Sequence, residues 1–548
     1  MMDEMGRSSE TGRLTPSGAT FRSKTEPTPP LDGLHRFLIL LCVSVPSFMI
    51  NLDSNIVAVS LSSIAQSLKA DFADIEWVIS AYTLTFASLV MPAGALADRF
   101  GRKRLLMIGL AIFTFASFLC GAAPDAAVLN AGRALQGVGA ALQLSAALAT
   151  LSHVFRGPAR ARAFAFWGSV IGIAISLGPI AGGFITQVFG WQWAFYVNLP
   201  IGIVMIALTA YAVRESKDPG AGRIDILGFL FFSSSLFLTT LALITGNRAG
   251  WDSPRILSEF AAAAVFFVIF LMVEILQQRP MLDLGFFRRP TYIGANIAGL
   301  AFAAALLTML TYLPIYFQSG LGYRPQAAGL LMLPMALPLF IVPRIVAAHL
   351  THRFTGRGLL AAGLVFIALG LLWMGIEAPA FSYIAMLGGM LVTGIGAGIL
   401  NGEVAKVGMT VIPPERAGMA SGISGTVRFS GIVIGFAALG AVLYGRVAAA
   451  VTSGLPAGDA IDRLGFIRSI AAGDLSGPVA ASGPIANLGW PSFYRHLAAS
   501  SFGSGYQAIL LVAAAFAGLS ALLSWLLIHP AETAPVPHHC AQLPVPVE

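Results

Sequence analysis

Apolar residues run along this chain in blocks of roughly 20, separated by short polar gaps. Blocks of that length span the hydrocarbon core of a bilayer as helices. They lack the alternating pattern of barrel strands, so they predict transmembrane helices. Spans are expected near 37–60, 75–97, 104–123, 127–151, 162–187, 193–213, 224–245 and 257–277. Six more are expected near 291–317, 326–349, 357–376, 380–411, 419–446 and 506–528, fourteen in all.

Composition agrees. Of 548 residues, 56% are hydrophobic and 11% charged, and mean hydropathy is +0.79. A soluble chain carries about 25% charged residues. A bilayer absorbs this much apolar side chain, provided the backbone polar groups bond within helices. The net charge of +7 does not point to nucleic acid, because the basic residues sit in the short gaps between spans. They concentrate after spans 2, 4, 6, 8, 10 and 12, with "DRFGRKR" (98–104) the densest run. By the positive-inside rule both termini are cytoplasmic, which an even span count requires. A bacterial inner membrane is the expected location.

Residues 1–36 are polar and lack the apolar region of a signal peptide, so they are expected to be a disordered cytoplasmic tail. Residues 529–548 form a second tail. The gap 447–505 is long and rich in Gly, Ser, Pro and Ala. Parity places it outside, partly ordered, with one amphipathic turn around 461–470. Cys42, Cys120 and Cys540 imply no disulfide framework.

The chain repeats itself. "GALADRFGRKRLL" (94–106) returns, degraded, as "AHLTHRFTGRGLL" (348–360), and "ALQGVGAAL" (134–142) as "LVTGIGAGI" (391–399). The offset is about 255 residues, with the same order and sidedness, as in a parallel repeat. The expected architecture is all-α: a six-helix bundle over 37–213, two extra helices and linkers over 214–290, and a second six-helix bundle over 291–528.

Chemistry concentrates in a few places. "MINLDSN" (49–55) puts Asp53, Asn51 and Asn55 inside the first span. Asp53 stands ~24 Å along that span, in its outer half. Arg133 lies near the outer end of the fourth span, at similar depth. An intramembrane charge costs several kcal/mol unless it faces a partner or a cavity, so an Asp53–Arg133 pair is expected. Burial favours the neutral form of a carboxyl and a neighbouring guanidinium favours the charged form. A pair whose contact changes during a cycle therefore takes up and releases a proton. The rival is a static pair that fixes helix packing.

Polar candidates for a substrate cavity are Asn51, Asn55, Tyr82, Gln136, Gln143 and Asn296. Thr85, Tyr312, Tyr316 and Gln318 are further polar or aromatic candidates to line that cavity. Glu403 and Lys406, three residues apart in span 12, are either a self-neutralising pair or a substrate or proton site. His349 and His352 lack a third ligand at useful spacing, so no metal is expected. No phosphate-binding "GxxxxGK[ST]" occurs and no nucleophile–base set stands out. Neither ATP-driven nor enzymatic chemistry has residues to rest on, and no cofactor is expected.

Several motifs, in order, make the chain resemble the fourteen-span drug:proton antiporters of the major facilitator superfamily. They are "LDSNIVAVSLS" (52–62), "GALADRFGRKRLL" (94–106), "GRALQGVGAA" (132–141), "SLGPIAGGFI" (176–185) and "GWQWAFYVNLPIG" (190–202). The first departs from the family pattern at Asn55, Ala58 and Ser62, and Ala174 stands where a Gly is usual. The resemblance implies that Gly94, Asp98, Arg99, Gly101 and Arg102 form a conformational switch, with Asp98 set against the N-terminus of span 13. It implies that Gly178, Pro179, Gly182 and Gly183 form the antiporter motif, and that Arg428 anchors the inner end of span 13.

The function expected is proton-coupled export of small amphipathic organic compounds by alternating access, driven by a proton gradient. Export of lipid or lipopeptide by the same fold, and a non-transporting receptor or scaffold, are the alternatives. Expected partners are the small-molecule substrate, protons and membrane lipids. A periplasmic adaptor is left open, with a monomer otherwise.

Overall fold

The computed structural model describes residues 33–70, 72–155, 157–217, 225–277, 284–412, 417–455, 462–475 and 492–534. Most of both predicted tails, and residues 456–461 and 476–491 of the gap 447–505, lie outside them. Fourteen long helical segments carry the chain back and forth. The first six are α1 (Gly33–Leu68), α2 (Phe72–Phe100), α3 (Arg102–Gly121), α4 (Ala126–Val154), α5 (Gly157–Phe189) and α6 (Trp193–Ala212). Next come α7 (Ile226–Ala249), α8 (Pro254–Leu276), α9 (Pro290–Gly320) and α10 (Pro325–Leu331, continued by Leu333–Leu350). The last four are α11 (Gly356–Glu377), α12 (Tyr383–Thr410), α13 (Ala417–Gly454) and α14 (Ser492–Leu527). Among the described residues, thirteen helices are long and apolar enough to cross a membrane. The remaining segment, α2, has charged residues near both ends and completes the fourteen.

Capping side chains set several helix starts. Asp125 accepts from Val128 N at 2.9 Å ahead of α4, and Ser253, with Pro254 behind it, caps α8. Thr355 and Ser382 do the same for α11 and α12. Some helices outrun the apolar blocks that predict them. α14 begins at Ser492 and α13 continues to Gly454; the α13 extension, "VAAAV" (447–451), is Ala-rich and helix-forming. Inside the gap 447–505 a short helix, Arg463–Ala471, buries Phe466, Ile467 and Ile470 against α13, α14 and α2.

The internal repeat is visible in the packing. In the first bundle α2 lies on α4, α3 on α4 and α6, and α1 on α5 and α6. Their counterparts in the second bundle pair the same way: α10 on α12, α11 on α12 and α14, and α9 on α13 and α14. The extra helices α7 and α8 pack on each other, and α7 touches α2 and α13 where the bundles meet.

Fourteen traversals bring the first and last described residues, 33 and 534, to one side of this assembly, the terminus side. The loop side lies opposite. On the loop side the bundles are pressed together. Gln318 Nε2 donates to Val59 O at 2.8 Å, joining α9 to α1. A Cβ on Gly183 would collide with Pro325 O and Gln326 Cα, and one on Gly329 with Pro179 O. Only residues without side chains allow two backbones so close. Toward the terminus side, Gly94, Gly168, Gly402 and Gly425 have nothing within 4 Å of where a Cβ would stand. Among the described residues the bundles are closed at the loop side, and these four glycines border open space toward the terminus side.

Candidate functional site

Asp53 sits in the middle of α1 and Arg133 two turns into α4. Both are 0% exposed. Their side chains meet: Arg133 Nη1 donates to Asp53 Oδ2 at 2.7 Å. Gln136 Nε2 donates to Asp53 Oδ1 at 2.8 Å, and Asn198 Nδ2, from α6, donates to the same oxygen at 2.9 Å. Asp53 therefore accepts three N–H groups from two other helices, the pattern of an ionised carboxylate.

Arg133 has further partners on α2 and α4. Its Nε donates to Val78 O of α2 at 2.9 Å and its Nη1 also reaches Gln136 Oε1 at 2.7 Å. The guanidinium carbon lies 4.1 Å from the Tyr82 ring centroid, a cation–π contact strengthened by desolvation. Gln136 is fixed in turn by Ser117 Oγ at 2.9 Å. Two buried polar atoms of this network have no protein partner: Arg133 Nη2 and Asn198 Oδ1. An open donor and an open acceptor beside a paired carboxylate are what a proton-accepting site needs if its bonding is to rearrange.

The other candidates divide. Tyr82 and Gln136 belong to the network. Asn51 and Asn55 bond back along α1 to Ser47 O and Asn51 O at 2.8 and 2.7 Å. Asn55 also packs on Gly178 of α5, so Gly178, like Gly182 against Ile56, serves α1–α5 contact. Gly183 and Pro179 face α10 instead. Gln143 is buried between α3 and α4 beside Gly109, apart from the pair. Asn296 bonds Tyr292 O within α9 at 2.9 Å.

Tyr312 and Tyr316 are not cavity residues. Both are buried in an aromatic cluster with Phe436, Phe502 and Tyr506, and their hydroxyls donate to Phe436 O and Ala378 O. Four residues apart, they share the buried face of α9. Thr85 Oγ1 donates to Ala134 O at 2.9 Å and serves α2–α4 packing. Arg428 is three turns inside α13, with its guanidinium 5.2 Å from the Phe302 ring, rather than at the helix end.

In the 94–106 motif, Gly101 has φ +117°, which its lack of a side chain permits, and Glu215 fills the space beside it. The Glu215 carboxylate accepts from Lys103 N and Arg104 N, both at 3.2 Å, at the start of α3. Arg102 N donates to Ser216 O at 3.0 Å, while Arg99 is exposed at the end of α2. The side chain of Asp98 and residues 413–416 lie outside the described residues, and with them the expected contact to the start of α13.

Glu403 and Lys406 do pair, at 3.3 Å. Glu403 is buried, whereas the Lys406 side chain is 55% exposed. The helix breaks just before them: Asn401 has ψ 102° and Gly402 φ +102°. Glu403 opens the terminus-side segment of α12, and the sequence carries no sign of this break. Asn198 and Ser117 are side chains of the central network that the sequence did not single out. For Asn198 the one signal is a lone amide in "YVNLPIG".

Two repeated helical bundles pressed together at one side, the first with a buried ion pair at its centre, define a membrane transporter. The chain belongs to the Major Facilitator Superfamily, whose family model matches residues 43–436. It is 34% identical over 501 residues to "Multidrug resistance protein Stp" of Mycobacterium tuberculosis, covering 89% of this chain and 91% of the relative. It is 33% identical over 408 residues to "Methylenomycin A resistance protein" of Bacillus subtilis, covering 74% of this chain and 87% of that one. In fold it is similar to a bacterial homolog of the human lysosomal transporter Spinster, solved in an inward-facing, unoccupied conformation. The TM-score is 0.59 at 15% identity, over 92% of this chain and 98% of that one.

Proposed function

We propose that this transporter exports small amphipathic organic molecules in exchange for protons, with Asp53 as the proton carrier and Arg133 as its switchable partner. The observation that carries this is the fully buried pair itself. A membrane helix that needed only to pack would do so with Leu or Ala, without the cost of a buried charge. The names of the two relatives, one a multidrug and one an antibiotic resistance protein, support export of organic toxicants as the substrate class.

The geometry supports a direction of coupling. Basic loops make the terminus side cytoplasmic. The state described is then open to the cytoplasm, and Asp53 is bonded as a carboxylate that has given up its proton to that side. On the other side of the cycle, a protonated Asp53 has an O–H to donate. Asn198 Oδ1 is buried and unpartnered, so it can accept that hydrogen after a half-turn of the amide. Asn198 thus serves both protonation states, as donor to one and acceptor to the other.

Sidedness is tested by chemical labelling. A cysteine replacing His496, exposed near the start of α14, is expected to react with an impermeant thiol reagent in intact cells. Protection in cells that disappears on lysis contradicts this orientation.

Glu403 supplies charge selectivity at the open mouth. Lys406 is largely in water, where its Coulomb partnership is screened, while the buried Glu403 carboxylate acts at lower dielectric. Glu403→Gln is expected to reduce export of cationic compounds about tenfold relative to neutral ones, ~1.4 kcal/mol. Parallel export assays with one cationic and one neutral compound read this, and an unchanged ratio assigns the pair a purely local role.

The proposal as a whole is tested in proteoliposomes. An imposed pH gradient is expected to drive accumulation of an organic cation, and its collapse by a protonophore to stop it. Accumulation indifferent to the gradient overturns the reading.

A further inference from the structure

A second guanidinium lies inside the membrane, and its surroundings differ from those of Arg133. Arg428 stands three turns into α13, half-buried, with its guanidinium carbon 5.2 Å from the ring centroid of Phe302 on α9. That ring supplies a cation–π contact. Among the described residues no carbonyl and no carboxylate accepts a hydrogen from any of its nitrogens. Arg133 has Asp53, Val78 O and Gln136 Oε1; Arg428 has no counter-ion. A guanidinium carries five N–H donors, and leaving them unmatched in a membrane helix is costly. Such a residue marks the path of a ligand more often than a packing contact.

Two helices that run side by side in one direction place this group. Ser424 of α13 meets the Tyr292 hydroxyl of α9 at 3.4 Å. One turn further along each helix stand Arg428 and Asn296, so the two are level. Beyond them Gly431 meets Leu300. Asn296 Nδ2 donates to Tyr292 O, but its Oδ1 is buried without a partner. Unmatched donors and an unmatched acceptor thus stand at one level of the second bundle. Of the Arg428 nitrogens only Nε is sealed from solvent. Gly425, three residues earlier on the same face, borders open space. The edge that carries Nη1 and Nη2 is therefore the accessible one. Phe302 also opens a π-helical stretch, Phe302–Leu307, a departure that recurs at functional sites.

We propose that Arg428 binds the carboxylate of an organic anion that this transporter carries, through its two Nη groups. A carboxylate presents two oxygens at the spacing of the guanidinium fork and accepts from both nitrogens. Asn296 Oδ1 is placed to accept from a neighbouring hydroxyl or amide of the same molecule. A lipid phosphate offers similar oxygens, but headgroups lie at the membrane surface. Arg428 lies ~16 Å along α13 from its first residue. Glu403 of α12 gives the second bundle a site of opposite sign, so a substrate with both a carboxylate and an amine matches the two. The inference names a substrate class for the export reading above and rests on it. It does not depend on Asp53 or on proton exchange.

The test reads binding in detergent, without transport. The probe is dansylglycine, a fluorescent carboxylate, set against dansylglycinamide, in which a neutral amide replaces the acid. Wild type is expected to bind the acid at least about tenfold more tightly, measured by fluorescence polarisation. Arg428→Gln should remove that preference with amide binding unchanged. Arg428→Lys should keep part of it, since the charge remains but the fork does not. Thermal melts identify the variants that fold. Three results overturn the proposal. One is a wild type that binds the acid no tighter than the amide. Another is a preference undiminished in whichever variants fold. The third is displacement of the acid by dioleoylphosphatidylglycerol in mixed micelles, which would assign the guanidinium to a lipid headgroup. An acid preference that persists where a pH gradient drives no export would leave this site standing and overturn the proton-exchange reading instead.

Discussion

Asp53→Asn is expected to abolish gradient-driven export while leaving the protein folded and still able to exchange substrate across the membrane. Asparagine keeps the shape of the side chain and removes its proton chemistry. The three donors around the position then face one acceptor, Oδ1, and one donor, Nδ2. Rotation of the Asn198 amide relieves part of the mismatch, because its Oδ1 is buried and unpartnered and can accept from the new Nδ2. The guanidinium of Arg133 loses its counter-ion but keeps Val78 O, Gln136 Oε1 and the face of Tyr82. Removing one member of a buried pair costs about 3–5 kcal/mol when nothing else compensates, and these contacts moderate that loss. For each proton exchanged, a gradient of one pH unit supports about a tenfold concentration ratio, ~1.4 kcal/mol. The variant's ratio should fall to one, with exchange between equal concentrations retained. An unfolded variant, or one that still concentrates substrate, contradicts the role given to Asp53.

Gly183→Leu should be nearly as damaging by a different route. In the loop-closed state its side chain would have to occupy the space of Pro325 O and Gln326 Cα. Backbone cannot move aside as a side chain can, so the two bundles must part. Overpacking of this kind costs about 1–3 kcal/mol, and occasionally more. Such a penalty shifts the balance of two conformations by roughly 5- to 150-fold. The variant is expected to dwell open at the loop side, to bind substrate in detergent, and to lose turnover. Increased labelling of a loop-side cysteine such as one at Tyr323, with binding intact, is the measurement. Normal labelling with normal turnover would mean that the Gly183–α10 contact is incidental.

What was legible in the sequence follows from how strongly lipid constrains a chain. Blocks of apolar residues fix helices because no other backbone arrangement survives in a bilayer. A charge in such a block must find a partner at its own depth, which is why Asp53 and Arg133 could be matched from position alone. Residues near helix ends carry weaker signals. Glu76, one turn into α2, reads as a charge at a membrane interface, and only the fold shows that Gly440 of α13 and Tyr312 of α9 stand against it. Asn198 follows a run of interfacial aromatics and reads as a helix start. Tyr312 and Tyr316 are equally suited to a cavity wall or a packed cluster, and neighbouring helices decide for the cluster. The break at Asn401 and Gly402 is invisible because glycine is common in membrane helices and marks close packing more often than a turn.

The coupling role of Asp53 also explains the partners around it. Gln136 and Ser117 orient the site, Tyr82 supports the guanidinium, and Asn198 offers either a donor or an acceptor. A static pair needs no such freedom. Proton release on substrate binding tests the difference most directly. Purified protein in weakly buffered detergent solution is mixed with a transported organic cation, and the protons released are counted by a pH indicator. Wild type is expected to release protons as substrate binds, and Asp53→Asn to release fewer by about one per site. Equal release from the two proteins would contradict the account and leave Asp53 as a structural partner of Arg133.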